Sequence, residues 1–316
     1  MFMTKLIFLL GLAVWTSSSW ADQLVDAAAT NVTGRNVYSP SVIFDNGRFE
    51  MWYGGWQSAS DLPNDRIYFR ASVDGLNWSA PTQVLSPSQL PGASFTHVND
   101  PSVTKHRNAA NGMLQYTMFY TACAAPCAQG DNQIWSAVSS DGLNWSHHQV
   151  LLSSTSLGPA GPSAVIDPQP DGTFWRLYYV DRFDPWRVKV ANVNGDRRAT
   201  SASVAFENAS ELMGDVEVVR FGTEWHLFFG AFVFHGNTLD RVDVKKVVSA
   251  SPMRWTGVAR TLISNAGSAV CATITPGALQ TGARSYSLFF GVHLRGASGC
   301  SLTEFTGIHR WRWNLP

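Results

Sequence analysis

Asn99-Asp100-Pro101-Ser102-Val103, followed after a Gly-containing turn by Tyr116-Thr117-Met118-Phe119-Tyr120, is the stretch on which the reading of the fold turns. The same motif stands on either side of it. Pro40-Ser41-Val42 leads to Phe49-Glu50-Met51-Trp52-Tyr53, and Pro162-Ser163-Ala164 leads to Trp175-Arg176-Leu177-Tyr178-Tyr179, so the Pro-Ser pairs recur every 61 residues. Trp225-His226-Leu227-Phe228-Phe229 and Tyr286-Ser287-Leu288-Phe289-Phe290 continue the aromatic series without the Pro-Ser lead. From Tyr53 to Phe290 the mean interval is about 59 residues, and five such units account for the 295 residues from Asp22 to Pro316. Self-similarity at a fixed period is the sequence sign of a repeat architecture.

A second repeated element follows each aromatic run. It reads Ser72-Val73-Asp74-Gly75-Leu76-Asn77-Trp78 in the first unit and Ser139-Ser140-Asp141-Gly142-Leu143-Asn144-Trp145 in the second. Asn192-Val193-Asn194-Gly195 holds its place in the third, and Ser249-Ala250-Ser251-Pro252-Met253-Arg254-Trp255 is a degraded copy in the fourth. Asp-Gly marks a tight hairpin turn. Asp74 and Asp141 are therefore turn residues, and the Trp is expected to pack inward from the outer strand. Each unit then reads strand, turn, aromatic strand, loop, strand, turn, strand, with no helical periodicity between units. Four-stranded units repeated radially are propeller blades. The expected fold is all-β: a five-bladed β-propeller of four-stranded antiparallel blades, in one domain spanning 22–316.

Composition agrees. The chain of 316 residues carries 23 basic and 23 acidic side chains, 15% charged in all, with 13 Trp, 18 Phe and 8 Tyr. So many aromatics exclude a disordered chain. The absence of basic excess argues against nucleic acid and anionic membranes as partners. Blades stack face to face, so most of the aromatics are expected in the core.

Residues 1–21 read as a secretory signal peptide: Lys5, an apolar run Leu6–Trp15, then Ser19 and Ala21 at the small-residue positions before cleavage. Cleavage after Ala21 would release a secreted or periplasmic protein starting at Asp22. No segment approaches the ~20 apolar residues of a spanning helix, so membrane insertion is not expected. Export permits disulfides. The four cysteines allow three connectivities, and their spacing favours Cys123–Cys127 across Ala-Ala-Pro and Cys271–Cys300 across 29 residues.

The Asp100-Pro101-Ser102 strand start, the aromatic second strand and the Ser-x-Asp-Gly-x-x-Trp turn together resemble the five-bladed glycoside hydrolases of family 43 and their relatives in families 32, 62, 68 and 130. The resemblance covers the chain from Asp22 onward and is specific for architecture rather than for activity. It implies three carboxylates on innermost strands: an Asp as general base, a Glu as general acid and a second Asp that tunes the acid. Glycoside hydrolysis needs two carboxyls flanking the scissile bond, which innermost strands converging on one axis can supply. The slot before the repeated Pro is Ser39, Asp100 and Gly161 in successive units. Asp215-Val216-Glu217 occupies the region in the fourth unit, with both acids on one face by strand alternation. The fifth begins at Val270-Cys271-Ala272 without an acid.

By this resemblance Asp100 is the candidate base and Glu217, or Asp215 in the shifted register, the candidate acid. Gly161 leaves the tuning position empty. Asp181, at the end of an aromatic strand in the same unit, is a candidate substitute. Trp56, His97, Asn99 and Arg182 are candidate carbohydrate contacts. His293 corresponds to a last-blade His that in many members faces the axis near a cation such as calcium. No cofactor is expected to be required, and the protein is expected to act as a monomer. The same residues carry structural readings: Asp100 can cap a strand start, Asp181 can pair with a neighbouring cation, and His293 can be a buried hydrogen-bonded ring. Three functions stay open at this level: a glycoside hydrolase-like protein, a carbohydrate-binding propeller that lost its catalytic set, and an interaction scaffold of the cell envelope.

Overall fold

The computed structural model describes residues 22–56, 64–92, 95–108, 111–124, 131–153, 158–181, 187–208, 212–296, 299–300 and 305–315. Within them the chain forms twenty strands and no α-helix. Three four-stranded antiparallel sheets come first. The first holds strands β2 (Asn36–Asp45), β3 (Arg48–Trp56), β4 (Arg66–Ser72) and β5 (Thr82–Leu85) in sequence order, β1 (Gln23–Thr33) lying in another sheet. The second holds β6 (His97–Arg107), β7 (Leu114–Cys123), β8 (Gln133–Ser139) and β9 (Ser146–Ser153), and the third β10 (Pro159–Ile166), β11 (Thr173–Asp181), β12 (Arg187–Asn194) and β13 (Ala199–Glu207).

The remaining strands form one larger sheet with two halves. β14 (Leu212–Phe221), β15 (Glu224–His235), β16 (Thr238–Ser249) and β17 (Arg260–Ile263) repeat the pattern of the first three sheets. β18 (Val270–Gly282), β19 (Ser285–Leu294) and β20 (Gly307–Asn314) form the other half, completed by β1 (Gln23–Thr33), which pairs antiparallel with β20. A single parallel bridge, Val242 with Ala272, joins the halves. The last four-stranded group is thus built from both ends of the chain.

The aromatic run is the second strand of every group. β3, β7, β11, β15 and β19 are buried almost continuously rather than on alternate residues. A strand covered on both faces by neighbouring sheets has no solvent side and therefore loses the two-residue alternation. Trp52, Trp175, Tyr120, Phe228 and Phe289 are among the largest fully buried side chains, placing the aromatics in the core as the composition anticipates.

The Asp-Gly turns form as their sequences dictate. Asp74 accepts from the N–H groups of Leu76 and Asn77, and Asp141 from those of Leu143 and Asn144. These donors, that of residue i+3 above all, hold both carboxyls well below the usual carboxylate range. Trp78 and Trp145 are buried and stand just ahead of β5 and β9, Trp78 in an antiparallel bridge with Ser72 at the end of β4. The Cys271–Cys300 bridge is present, and Cys123 is disulfide-bonded. Cys127 and Arg182 lie outside the described residues.

Turns also tie neighbouring sheets together. Trp52 Nε1 of the first group donates to the carbonyl of Gly142 in the second (2.8 Å), and Tyr178 of the third to the carbonyl of Pro252 in the fourth (2.9 Å). Arg310 of the last group donates to the carbonyl of Asp74 in the first (2.7 Å).

Candidate active site

The first strand of each group breaks its ladder at a corresponding place, and β18 also does so near both of its ends. Register shifts fall between Tyr38 and Ser41, Asn99 and Ser102, Ala160 and Ser163, Met213 and Val216, and Ile274 and Gly277. Such bulges re-aim a side chain at the cost of ladder pairing. In the first three groups the slot residue takes a left-handed backbone: Ser39 at φ 50°, Asp100 at 49° and Gly161 at 59°. For a non-glycine residue this costs about 1–3 kcal/mol and persists only where the surroundings fix it. Pro follows each slot and fixes the next φ.

A hydrogen-bond series running between groups sets the register. The N–H of Val103 donates to Ser41 Oγ, that of Ala164 to Ser102 Oγ and that of Val218 to Ser163 Oγ, each at 2.9 Å. The N–H of Ala278 then donates to Glu217 Oε1 at 3.4 Å. Glu217 therefore stands where the other groups have the Ser after Pro, and Asp215 aligns with Ser39, Asp100 and Gly161. In the fifth unit the bulge falls at Thr275-Pro276, five residues beyond the Val270 start expected from sequence. Gly277 closes the series: a Cβ there would lie 1.9 Å from the carbonyl oxygen of Pro40, so no side chain fits.

Ser39, Asp100, Gly161, Asp215 and Glu217 converge on one cavity, together with the four prolines and their neighbours. Its volume is about 20 Å³, room for about one water. Ser39 Oγ donates to Asp100 Oδ1 at 2.7 Å, so the first group's slot supports the acid of the second. Gly161 has no side chain because Asp215 uses the space: a Cβ on Gly161 would lie 2.5 Å from Asp215 Oδ1. The acid absent from the third slot is replaced in position by a carboxylate reaching over from the fourth.

Glu217 is strongly perturbed. Burial pushes its carboxyl up to about 8, and hydrogen bonds from Ser163 and from the Ala278 N–H oppose this only in part. Glu217 is half-buried and lines the cavity. At neutral pH it is mostly protonated and able to donate, whereas Asp100 is held by a hydroxyl donor.

The other candidates do not line this cavity. Asp181 is buried at the end of β11 and ion-paired with Lys189 Nζ at 2.6 Å. Trp56 is 9% exposed and offers no open face for stacking. His97 and Asn99 join a polar network that sequence reasoning missed. The Tyr38 hydroxyl donates to Asp65 Oδ2 (2.8 Å), Asn99 Nδ2 donates to the Tyr38 oxygen (3.1 Å), and the N–H of Asp65 donates to His97 Nδ1 (3.2 Å). Burial, then the charges of Asp65 and Asp100, holds the Tyr38 hydroxyl well above its ordinary value, so it stays a donor. Nothing in a one-sequence pattern marks Tyr38 or Asp65, since their partners stand 27 and 61 residues away.

His293 is buried, its ring edge-on to Phe305 with centroids 6.1 Å apart. Among the described residues no three Asp, Glu, His or Cys side chains converge to hold a metal ion.

No protein-family model matches the chain, and no curated protein is similar to it in sequence. Solved structures do match. A thermostable family-43 glycoside hydrolase superposes with a TM-score of 0.60 at 15% identity, covering 91% of this chain and 92% of the other. An exo-1,5-α-L-arabinanase from a bovine ruminal metagenomic library gives 0.62 at 12% identity, over 89% and 95%. A family-43 endo-arabinanase from Bacillus licheniformis gives 0.60 at 14%, over 89% and 94%. The chain has the β-propeller fold of the family-43 glycoside hydrolases. At these identities the likeness concerns the fold alone.

Proposed function

We propose that the protein is an exported, five-bladed, glycoside hydrolase-like propeller that acts on an oligosaccharide or polysaccharide by carboxylate acid/base chemistry at the axial cavity. The observation that carries this is the pairing, around one cavity, of a Glu217 carboxyl that burial keeps protonated with an Asp100 carboxylate supported by Ser39. Two carboxyls in unlike environments are what separates an acid from a base. Glu217 is the general acid, Asp100 the general base, and Asp215 fills the space of the third slot beside them. The blade count of five rests on the repeat and on the two halves of the larger sheet. Export rests on the Lys5–Ala21 leader pattern and agrees with the Cys271–Cys300 bridge.

The test is hydrolysis of arabinan, xylan and aryl glycosides by the protein from Asp22 onward and by its Asp100→Asn and Glu217→Gln variants. Each variant is expected to lose about 10²–10⁴-fold in kcat, the usual contribution of a general acid or base. Variants as active as the parent sink the assignment.

A second reading has its own observation: a cavity of about 20 Å³ holds a water but no sugar ring, and Glu217 spends one oxygen on the N–H of Ala278. On that reading the protein is a carbohydrate-binding propeller. Glycan binding without release of reducing sugar from any of these substrates decides for it.

A further inference from the structure

The third unit departs from the repeat at its outer turn. Where the first two units have Asp-Gly-Leu-Asn-Trp, it has Asn194-Gly195-Asp196-Arg197-Arg198 between β12 and β13. The departure changes how it meets its neighbour. Elsewhere a side chain on one group donates to a carbonyl in the next group's turn, as Trp52 does to Gly142. Here the turn itself donates. Arg197 Nη1 reaches back to the second group, to the carbonyl of His147 at 2.9 Å and to Ser136 Oγ at 3.2 Å.

Both residues of that contact are strained. His147 has φ 55° and Arg197 φ 59°, two left-handed non-glycine residues held against each other from different sheets. Gln149 Nε2 fixes the turn by donating to the carbonyl of Arg197 at 2.7 Å. Backbone strain kept by such cross-bracing is a reason to look for a site.

The charge there is one-sided. Arg197 is half-buried, and burial lowers its affinity for the proton without approaching neutrality. Among the described residues no carboxylate forms an ion pair with it. Asp196 uses its N–H and carbonyl within the turn and toward Gln149, and the ionisable side chains that act on or are acted on by Arg197 are Tyr120 and His148. Only Nη1 of the guanidinium is bonded, so Nε and Nη2 keep the planar fork that matches an oxyanion. His148 completes the set. Burial pushes the Tyr120 hydroxyl far above its ordinary value, so it remains protonated, and its oxygen lies 2.9 Å from His148 Nδ1. His147 is exposed beside it, its Nδ1 2.9 Å from Ser146 Oγ. Arg198 adds a further cation at the surface.

We propose that this seam between the second and third sheets is an oxyanion site, in which Arg197, His147 and His148 take a carboxylate or sulfate group borne on a glycan chain. The site stands at the opposite end of the third sheet from the axial cavity: β12 pairs with β11 from Arg187↔Asp181 to Asn194↔Thr173, and Arg197 follows the far end. It would hold an acidic polysaccharide by a substituent while another part of the chain meets the axis. The glycan half of this rests on the function proposed above, while the oxyanion half does not.

Calorimetric titration of the protein with sodium sulfate, with trigalacturonate and with the neutral trigalactoside tests both halves. Sulfate and trigalacturonate are expected to bind saturably and the neutral trisaccharide not at all. Arg197→Gln should weaken both at least ~10-fold, and Arg197→Lys, a point charge without the fork, by about 3-fold. Asp100→Asn should leave the affinity unchanged. Burial holds His148 below its ordinary value; a hydrogen bond to the Trp145 backbone opposes this, and the charges of Arg197 and His147 add to it. A bound anion opposes those charges, so binding should tighten about 3-fold from pH 7.5 to pH 5.5. Unsaturable sulfate uptake, or unchanged affinity in Arg197→Gln, overturns the site. Sulfate binding that Arg197→Gln abolishes, without binding of trigalacturonate, keeps the oxyanion site and overturns its glycan ligand. Should Arg197→Gln melt differently from the parent, Arg197→Lys and His148→Gln carry the same readout.

Discussion

Glu217 does two jobs that pull in opposite directions. It accepts the N–H of Ala278, which favours the carboxylate, and it is enclosed, which favours the acid; enclosure wins and carries the carboxyl to about 8. A carboxyl whose folded value is raised stabilises the fold while protonated, and that contribution is lost as pH rises through the folded value. The window runs from about 4.5 to about 8. Thermal melts should therefore lose several degrees between pH 5 and pH 8.5, and Glu217→Gln, neutral throughout, should flatten that part of the profile. A slope unchanged in Glu217→Gln places the titration elsewhere. Gly161 offers the complementary test, because Asp215 occupies the room a Cβ needs and φ is 59°. Gly161→Ala is expected to cost about 1–3 kcal/mol in urea unfolding, whereas Gly112→Ala, also at positive φ but with nothing within 4 Å, should cost only the backbone term of about 1–2 kcal/mol.

At the scale of elements, the seams are joined by one short motif used repeatedly. Ser41, Ser102 and Ser163 each take the first N–H past the next bulge, and Glu217 takes it in the fourth group. Ser102→Ala leaves the N–H of Ala164 without its acceptor and should cost about 1–2 kcal/mol, measured by urea unfolding, while Ser102→Gly should cost at least as much. A change below a few tenths of a kcal/mol would show the series to be incidental. The same motif explains how far sequence could reach. Pro-Ser repeats and aromatic runs are local, so three sheets and their order are legible from spacing, and Asp100 from its place before Pro101. Register in the fourth and fifth units is not. It depends on Glu217 standing in for a serine and on Gly277 yielding to the Pro40 carbonyl, both contacts between distant strands. Asp181, Trp56 and His293 fail to reach the cavity for a related reason: position at a strand end fixes height along the axis, while bulge geometry fixes which side chain turns inward.

The whole molecule closes through its termini, and one buried ion pair holds that closure. β1 pairs along β20, and just before it the Asp22 carboxylate takes the ammonium of Lys246 on β16 and, at 2.6 Å, the hydroxyl of Tyr286 on β19. Lys246 is 7% exposed, and burial alone would drive it toward the neutral amine; Asp22 supplies the opposing charge and hydrogen bond. A buried pair contributes little net stability, because desolvation offsets the attraction, but removing one partner strands the other. Asp22→Ala should therefore cost about 3–5 kcal/mol, far more than an exposed side chain at the start of a strand. The double variant Asp22→Ala with Lys246→Met should recover most of that loss. The recovery is what separates a stranded ammonium from loss of β1, since detachment of the strand would leave the double variant as unstable as the single one. Urea unfolding of the two variants beside Lys246→Met alone makes the distinction, with a coupling near zero as the outcome that rules the pair out as the clasp of the ring.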